Sequence, residues 1–157
     1  MGLLGGIEMT LSYIAHSIFR FIQLVLALTV CGLYGVDLHR ADKEHKYSDG
    51  KWVYAEITGS LSALTALLYL IPLISHIGLL FIWDTILFIL WIALFGLFGN
   101  MYIHERAEGD GGVQRMKNAV WVDLVNALLW LVSAVGMLGF WVRGRGGRTR
   151  WTGRAAV

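Results

Sequence analysis

The chain has 157 residues, of which 57 % are hydrophobic and 15 % charged, with one proline, one cysteine and seven tryptophans. A soluble domain of this size spreads its charges along the chain. Here they collect in three islands, Asp37 to Lys51, His104 to Lys117 and Arg143 to Arg154, and the stretches between are long enough to cross a hydrocarbon layer, which takes about 20 helical residues. The composition is that of a membrane protein, and the lone Cys31 excludes an internal disulfide.

In chain order, the opening "MGLLGGIEMT" carries no Lys or Arg ahead of the apolar run, so residues 1–13 read as a short N-terminal segment and not a cleavable signal peptide. Spans are expected over about 14–36, 52–74, 77–102 and 117–142, followed by a basic tail at 143–157. The second and third need separating. From Leu61 to Ile103 the chain is almost uninterrupted in its apolarity, and 43 residues of helix would be roughly 65 Å long, more than any bilayer. The cluster "PLISHIG" (Pro72 to Gly78) supplies the turn, and "EGDGG" (Glu108 to Gly112) supplies another before the fourth span. The runs are continuous and not alternating, which argues against strands. The expected fold is all-α, an integral-membrane four-helix bundle.

Four spans put both termini on one side and the two charged loops on the other. Basic residues do not decide which side is cytoplasmic: the terminus side holds Arg20 and the tail arginines 143, 145, 148, 150 and 154, and the loop side holds Arg40, Lys43, Lys46, Lys51, Arg106, Arg115 and Lys117. The tail has no acid, which favours termini inside. Trp52, Trp121 and Trp141 stand at the depths expected of interfacial aromatic belts.

Polar residues within the spans share faces. His16, Arg20, Gln23, Ala27, Cys31 and Gly35 follow spacings of three and four along the first helix. Ala55, Gly59 and Ala63 form a small-residue face on the second, which lets another backbone come close. Asp123, Asn126, Trp130, Ser133 and Met137 form one stripe on the fourth. A charge at mid-span costs roughly 2.5–3.5 kcal/mol, so Arg20, Glu56, Asp84 and Asp123 each need a partner or must stay neutral. Arg20 and Asp84 fall at the same depth, about 10 Å in from the terminus side, and are expected to pair between the first and third helices. Glu56 and Asp123 fall in the opposite leaflet, with Lys51 and Lys117 able to reach down towards them. If the two carboxylates meet, they would share a proton, which suits either a structural clamp with Asn126 or proton movement.

Chemistry of other kinds is not signalled. His39 and His45 stand among acids in the first loop, but at no familiar ligand spacing. There is no phosphate loop, no catalytic constellation and no cofactor motif, so the expectation is a non-enzymatic protein without metal or cofactor. Arg143, Arg145, Arg148, Arg150 and Arg154 alternate with Gly and Trp151. Directly after a membrane helix, such a tail is expected on anionic lipid headgroups and not on nucleic acid.

The blocks "RFIQLVLALTVCGLYGVDL", "WVYAEITGSLSALTALLYLIP", "WDTILFILWIALFGLFGNMYI" and "GGVQRMKNAVWVDLVNALLWLVSA" cover nearly the whole chain, and here it resembles the small fungal MARVEL-domain proteins. The resemblance implies a four-span domain with cytoplasmic termini, in the plasma membrane or a secretory or endocytic vesicle membrane. It implies work in sterol-rich microdomains, membrane apposition or vesicle traffic through lateral association. No residue role follows from it. The partners expected are membrane lipids, sterol-rich or anionic, with further copies of the chain or other membrane proteins. Two rival readings are a small proton or ion conductor using Glu56 and Asp123, and an accessory subunit of a larger membrane complex.

Overall fold

The computed structural model describes residues 2–43, 50–71, 80–106, 108–109 and 111–146. They form four helices, α1 (Gly2–Lys43), α2 (Gly50–Tyr69), α3 (Leu80–Tyr102) and α4 (Gly111–Gly146), and no strand occurs among the described residues. The outer helices overrun their expected limits. α1 takes in residues 2–13, read from the sequence as a separate segment, and α4 starts six residues before 117. The reason is that hydropathy locates the lipid-embedded length, whereas a helix continues through any stretch without a breaker. The polar "DLHRADK" that ends α1 is helix-competent and sets Arg40 and Lys43 in the last turn, where cations oppose the negative end of the helix dipole. The turn before α4 lies where Gly109 (φ +92°) and Glu108 (φ +33°) adopt the left-handed conformation, which glycine accepts without a steric penalty. The turn expected at Pro72 to Gly78 lies outside the described residues.

Three helical stretches, Tyr13–Arg40, Leu80–Tyr102 and Gly111–Arg143, are long and apolar enough to cross a membrane. α2 falls short of that standard because Lys51, Glu56 and the small polar run from Thr58 to Thr65 dilute its leucines.

α1 packs most intimately on α2, and α3 on α4, with α1 also against α4 and α2 lying more loosely beside α3. Each helix buries positions alternately three and four apart: Arg20, Gln23, Ala27, Val30 and Tyr34 on α1, and Asp84, Leu87, Trp91, Leu94 and Phe98 on α3. α2 and α4 repeat the pattern from Ala55 to Tyr69 and from Met116 to Ser133. This is the spacing of a bundle whose ridges mesh at shallow crossing angles. The opposite faces are apolar and outward, with Ile18 and Val25 on α1, Ile57 and Leu64 on α2, Ile89 on α3 and Val132 on α4 all exposed.

The inward faces differ in detail from the stripe read on the first helix. On α1 the central positions are Val30 and Tyr34, while Cys31 and Gly35 are half-buried against α2. On α3, Leu87 and Leu94 face inward and Phe88 and Phe95 lie at the flank. On α1 the steps of four from Ala27 to Cys31 and Gly35 drift off the buried face, whereas alternating three and four holds it.

The small-residue face of α2 lies against α1, with Ala55, Gly59 and Ala63 all buried. A Cβ at Gly59 would stand 2.6 Å from Cys31 Sγ and 3.3 Å from the carbonyl oxygen of Ala27. The backbones meet there because glycine has no side chain. Gly59→Val is expected to cost about 1–3 kcal/mol through overpacking, read as a lower melting midpoint in detergent; adding Cys31→Ala should return part of the loss, since the closer of the two clashes is with the thiol.

Candidate functional site

The interior of the bundle is where the polar side chains gather, in two layers and a rim. In the layer nearer the termini, Arg20 is 2 % exposed and Asp84 fully buried, with Arg20 Nη2 lying 3.7 Å from Asp84 Oδ2. The guanidinium is held from three further directions. Its Nη1–H donates to Gln23 Oε1 at 2.8 Å, its Nε–H points at His16 Nε2 at 3.4 Å, and its carbon stands 4.5 Å from the centre of the Tyr69 ring. The Trp130 ring closes the far side at 5.9 Å. Cation–ring contacts gain in strength when water is excluded. Asp84 in turn accepts a hydrogen bond from Ser133 Oγ–H. Residues from all four helices thus surround one ion pair that crosses the centre of the bundle from α1 to α3.

The second layer lies three to four turns nearer the loops. Here the Tyr34 hydroxyl of α1 donates to Asp123 Oδ2 of α4 at 2.6 Å. Asn126, one turn along, donates its Nδ2–H to the Val122 carbonyl of its own helix at 3.0 Å, which leaves its side-chain oxygen facing the interior. Phe98 packs 4.5 Å from the Tyr34 ring and Trp52 5.0 Å from Phe98, sealing the layer on the loop side. Trp52 is half-buried in this aromatic group, and Trp121 faces outward, 58 % exposed. Beyond the aromatics, Arg115 of α4 pairs with Asp37 of α1 at the rim.

The looser seam between α2 and α3 is bridged by long side chains. Trp91 Nε1–H donates to Ser62 Oγ at 2.8 Å, Trp83 Nε1–H to Thr65 Oγ1 at 3.1 Å, and the Tyr54 hydroxyl to the Leu90 carbonyl at 2.9 Å. Large rings here hold the two backbones apart and join them by hydrogen bonds.

The two carboxylates expected to share the second layer have different surroundings. Asp123 is fully buried against Tyr34, while Glu56 lies half-buried on the seam of α1 and α2, where its Oε1 would be 3.1 Å from a Cβ built on Gly35. Lys117 turns its ammonium to the Glu105 carbonyl at 2.6 Å and not down into the bundle. Of the tail arginines, Arg143 is exposed at the end of α4 and Arg145 stands in its last turn, while Arg148, Arg150 and Arg154 lie outside the described residues.

No family model matches the chain, and no curated protein or solved structure matches it significantly.

Sequence reasoning missed Tyr34, Tyr69 and the hydroxyl partners Ser62 and Thr65. Tyr34 could have been found from spacing, since it continues the alternation that begins at Arg20 and Gln23. Tyr69 could not, because nothing in "TALLYLIP" distinguishes a ring turned inward from one at a lipid interface.

The central pair is open to a double-mutant cycle. Arg20→Ala and Asp84→Ala are each expected to destabilise by about 3 kcal/mol or more, because each strands a buried charge, and the double variant should lose markedly less than their sum. Strict additivity in reversible unfolding in detergent would show that the two side chains do not interact.

Proposed function

We propose that the chain is a non-enzymatic, four-span membrane protein of the MARVEL-like kind, which organises membrane microdomains or trafficking vesicles by lateral contacts with lipids and other helices. The observation that carries this reading is the inverted polarity of the bundle. Arginine, aspartates, asparagine and glutamine are turned to the centre, while isoleucine, leucine and valine form the outer faces of all four helices. Such an exterior suits hydrocarbon and not water.

α2 is the fourth span in this reading. Its 20 residues rise about 30 Å, and Val53, Ile57, Leu64, Leu67 and Leu68 are all exposed on its outer side. Its polar residues are the ones that meet α1 and α3. The span then places both termini on one side of the membrane, read as the cytoplasmic side, with the tail arginines at the headgroups of an anionic leaflet, where each is worth about 1 kcal/mol near the surface. Glu56 and Asp123, with separate neighbours, act as structural polar groups here and not as a relay.

Lateral organisation and conduction are separated by one reconstitution. Purified protein in sterol-containing liposomes should cluster as sterol is raised and pass no pH- or ion-driven flux. Flux that Glu56→Gln abolishes would replace this reading with the conductor. Topology is tested independently by reporter tags at each terminus and in the 44–49 loop of protein in its native membrane: both terminal tags should be reached from the cytoplasm and the loop tag only from the opposite side. Terminal tags found on opposite sides would remove α2 as a span, because α1, α3 and α4 alone cross three times.

A further inference from the structure

The layer around Asp123 holds oxygens that have no hydrogen-bond partner among the described residues. Asp123 uses Oδ2 to accept from Tyr34, but its Oδ1 has no hydrogen-bond partner among the described residues, and neither has Asn126 Oδ1. Both side chains are fully buried. They stand three residues apart on α4, hence on one face with about 4.5 Å of rise between them. Asn126 gives one of its two amide hydrogens to Val122 O and makes no hydrogen bond to Asp123 Oδ1.

α2 brings a third oxygen to the same depth. Gly59 packs on Ala27 and Cys31 of α1, and Tyr34, which holds Asp123, lies one turn beyond Cys31. Thr58, immediately before Gly59, is therefore in this layer; it is fully buried, and its Oγ1 also has no hydrogen-bond partner among the described residues. By contrast, the unpartnered atoms of the Arg20 layer include two obligate donors, Gln23 Nε2 and Trp130 Nε1. The two layers differ in chemical character. The Arg20 layer sets a cation beside its carboxylate, though Asp84 Oδ1 and the Tyr69 hydroxyl are also unpartnered there, whereas the Asp123 carboxylate meets a hydroxyl.

We propose that Asp123, Asn126 and Thr58 form an intramembrane site for a monovalent alkali cation. Carboxylate, amide and hydroxyl oxygens are hard ligands that suit such ions and not thiophilic metals. Charge selects the valence. Asp123 is the single acid of the layer's centre, since Glu56 faces the α1 and α2 seam and Asp84 belongs to the other layer with Arg20, so one positive charge neutralises it. A divalent ion would leave a net charge buried in the bundle, which the membrane interior disfavours. The Tyr34 hydroxyl occupies Oδ2 and leaves Oδ1 for the ion. The ion links α4 to α2, the pair of helices that face each other across the bundle, as Arg20 and Asp84 link α1 to α3.

The test uses the full chain in lipid nanodiscs. Thermal melting is followed in sodium, potassium or lithium chloride against choline chloride at equal ionic strength and fixed pH. A bound ion raises the midpoint saturably, by about 5–10 °C at a hundredfold excess over its Kd, and the three alkali ions rank differently. Asn126→Leu and Thr58→Val should each abolish or weaken that dependence at least tenfold in apparent Kd, whereas Ser133→Ala, in the other layer, should leave it intact. Equilibrium binding of radioactive sodium to the unaltered protein stands even if a variant fails to fold. Melting that is the same in choline as in every alkali chloride, or that responds to pH alone, overturns the site in favour of a proton held between the same oxygens.

Discussion

A guanidinium and a carboxylate facing each other across the middle of an apolar cylinder are the constraint from which the rest of the bundle can be read. Neither Arg20 nor Asp84 is tolerable at that depth alone, so α1 and α3, which are not neighbours in the ring of helices, must come close at one height. The other contacts then have little freedom. Ser133 must lie beside Asp84, which fixes the height of α4, and Tyr69 must lie under the guanidinium, which fixes α2. The shared position of these four side chains explains how helices with lipid-like outer faces can select one arrangement. Between apolar helices in an apolar solvent there is no hydrophobic force to do so, and packing and polar contacts have to supply the preference.

The contacts divide by kind as well as by place. Where α1 meets α2, small residues bring backbones together and dispersion dominates, as at Gly59. Between α2 and α3 the reverse holds, and rings of Trp83, Trp91 and Tyr54 span a wider seam and end in hydrogen bonds. An indole N–H left unpaired in hydrocarbon is costly, so each of these rings is anchored at its tip and packed along its body. The bundle is thus made of two close helical hairpins joined by longer, polar-tipped side chains.

Much of this was legible in the sequence, and the limits were physical. Helix number, the turn before α4 and the inward direction of Arg20, Asp84, Asp123 and Asn126 follow from hydropathy and from the cost of burying polar groups. So does the common depth of Arg20 and Asp84, because helical rise is constant. Hydropathy reports where lipid lies and not where hydrogen bonding stops, so the ends of α1 and α4 were misjudged. Azimuth was the other weak point. A drift of a few tens of degrees exchanges Val30 for Cys31, and it decided that Tyr34 and not Glu56 would partner Asp123. Residues that carry both a ring and a polar tip, such as Tyr69 and Trp52, are consistent with interface and interior alike until the neighbouring helices are in place.

The alternation of three and four that all four helices share repeats itself every seven residues, about 10.5 Å of rise. Leucines and alanines so spaced would mesh nearly as well after one helix had slid past its neighbours by that distance. The polar layers do not repeat with the heptad: the Arg20 and Asp84 pair occupies one height, Asp123 and Tyr34 another, and the Asp37 and Arg115 rim a third. A sliding step would set Arg20 against aromatic rings and Asp84 against leucines. These few side chains therefore act as a vernier on an otherwise periodic scale, so that translation along the membrane normal has a single stable reading.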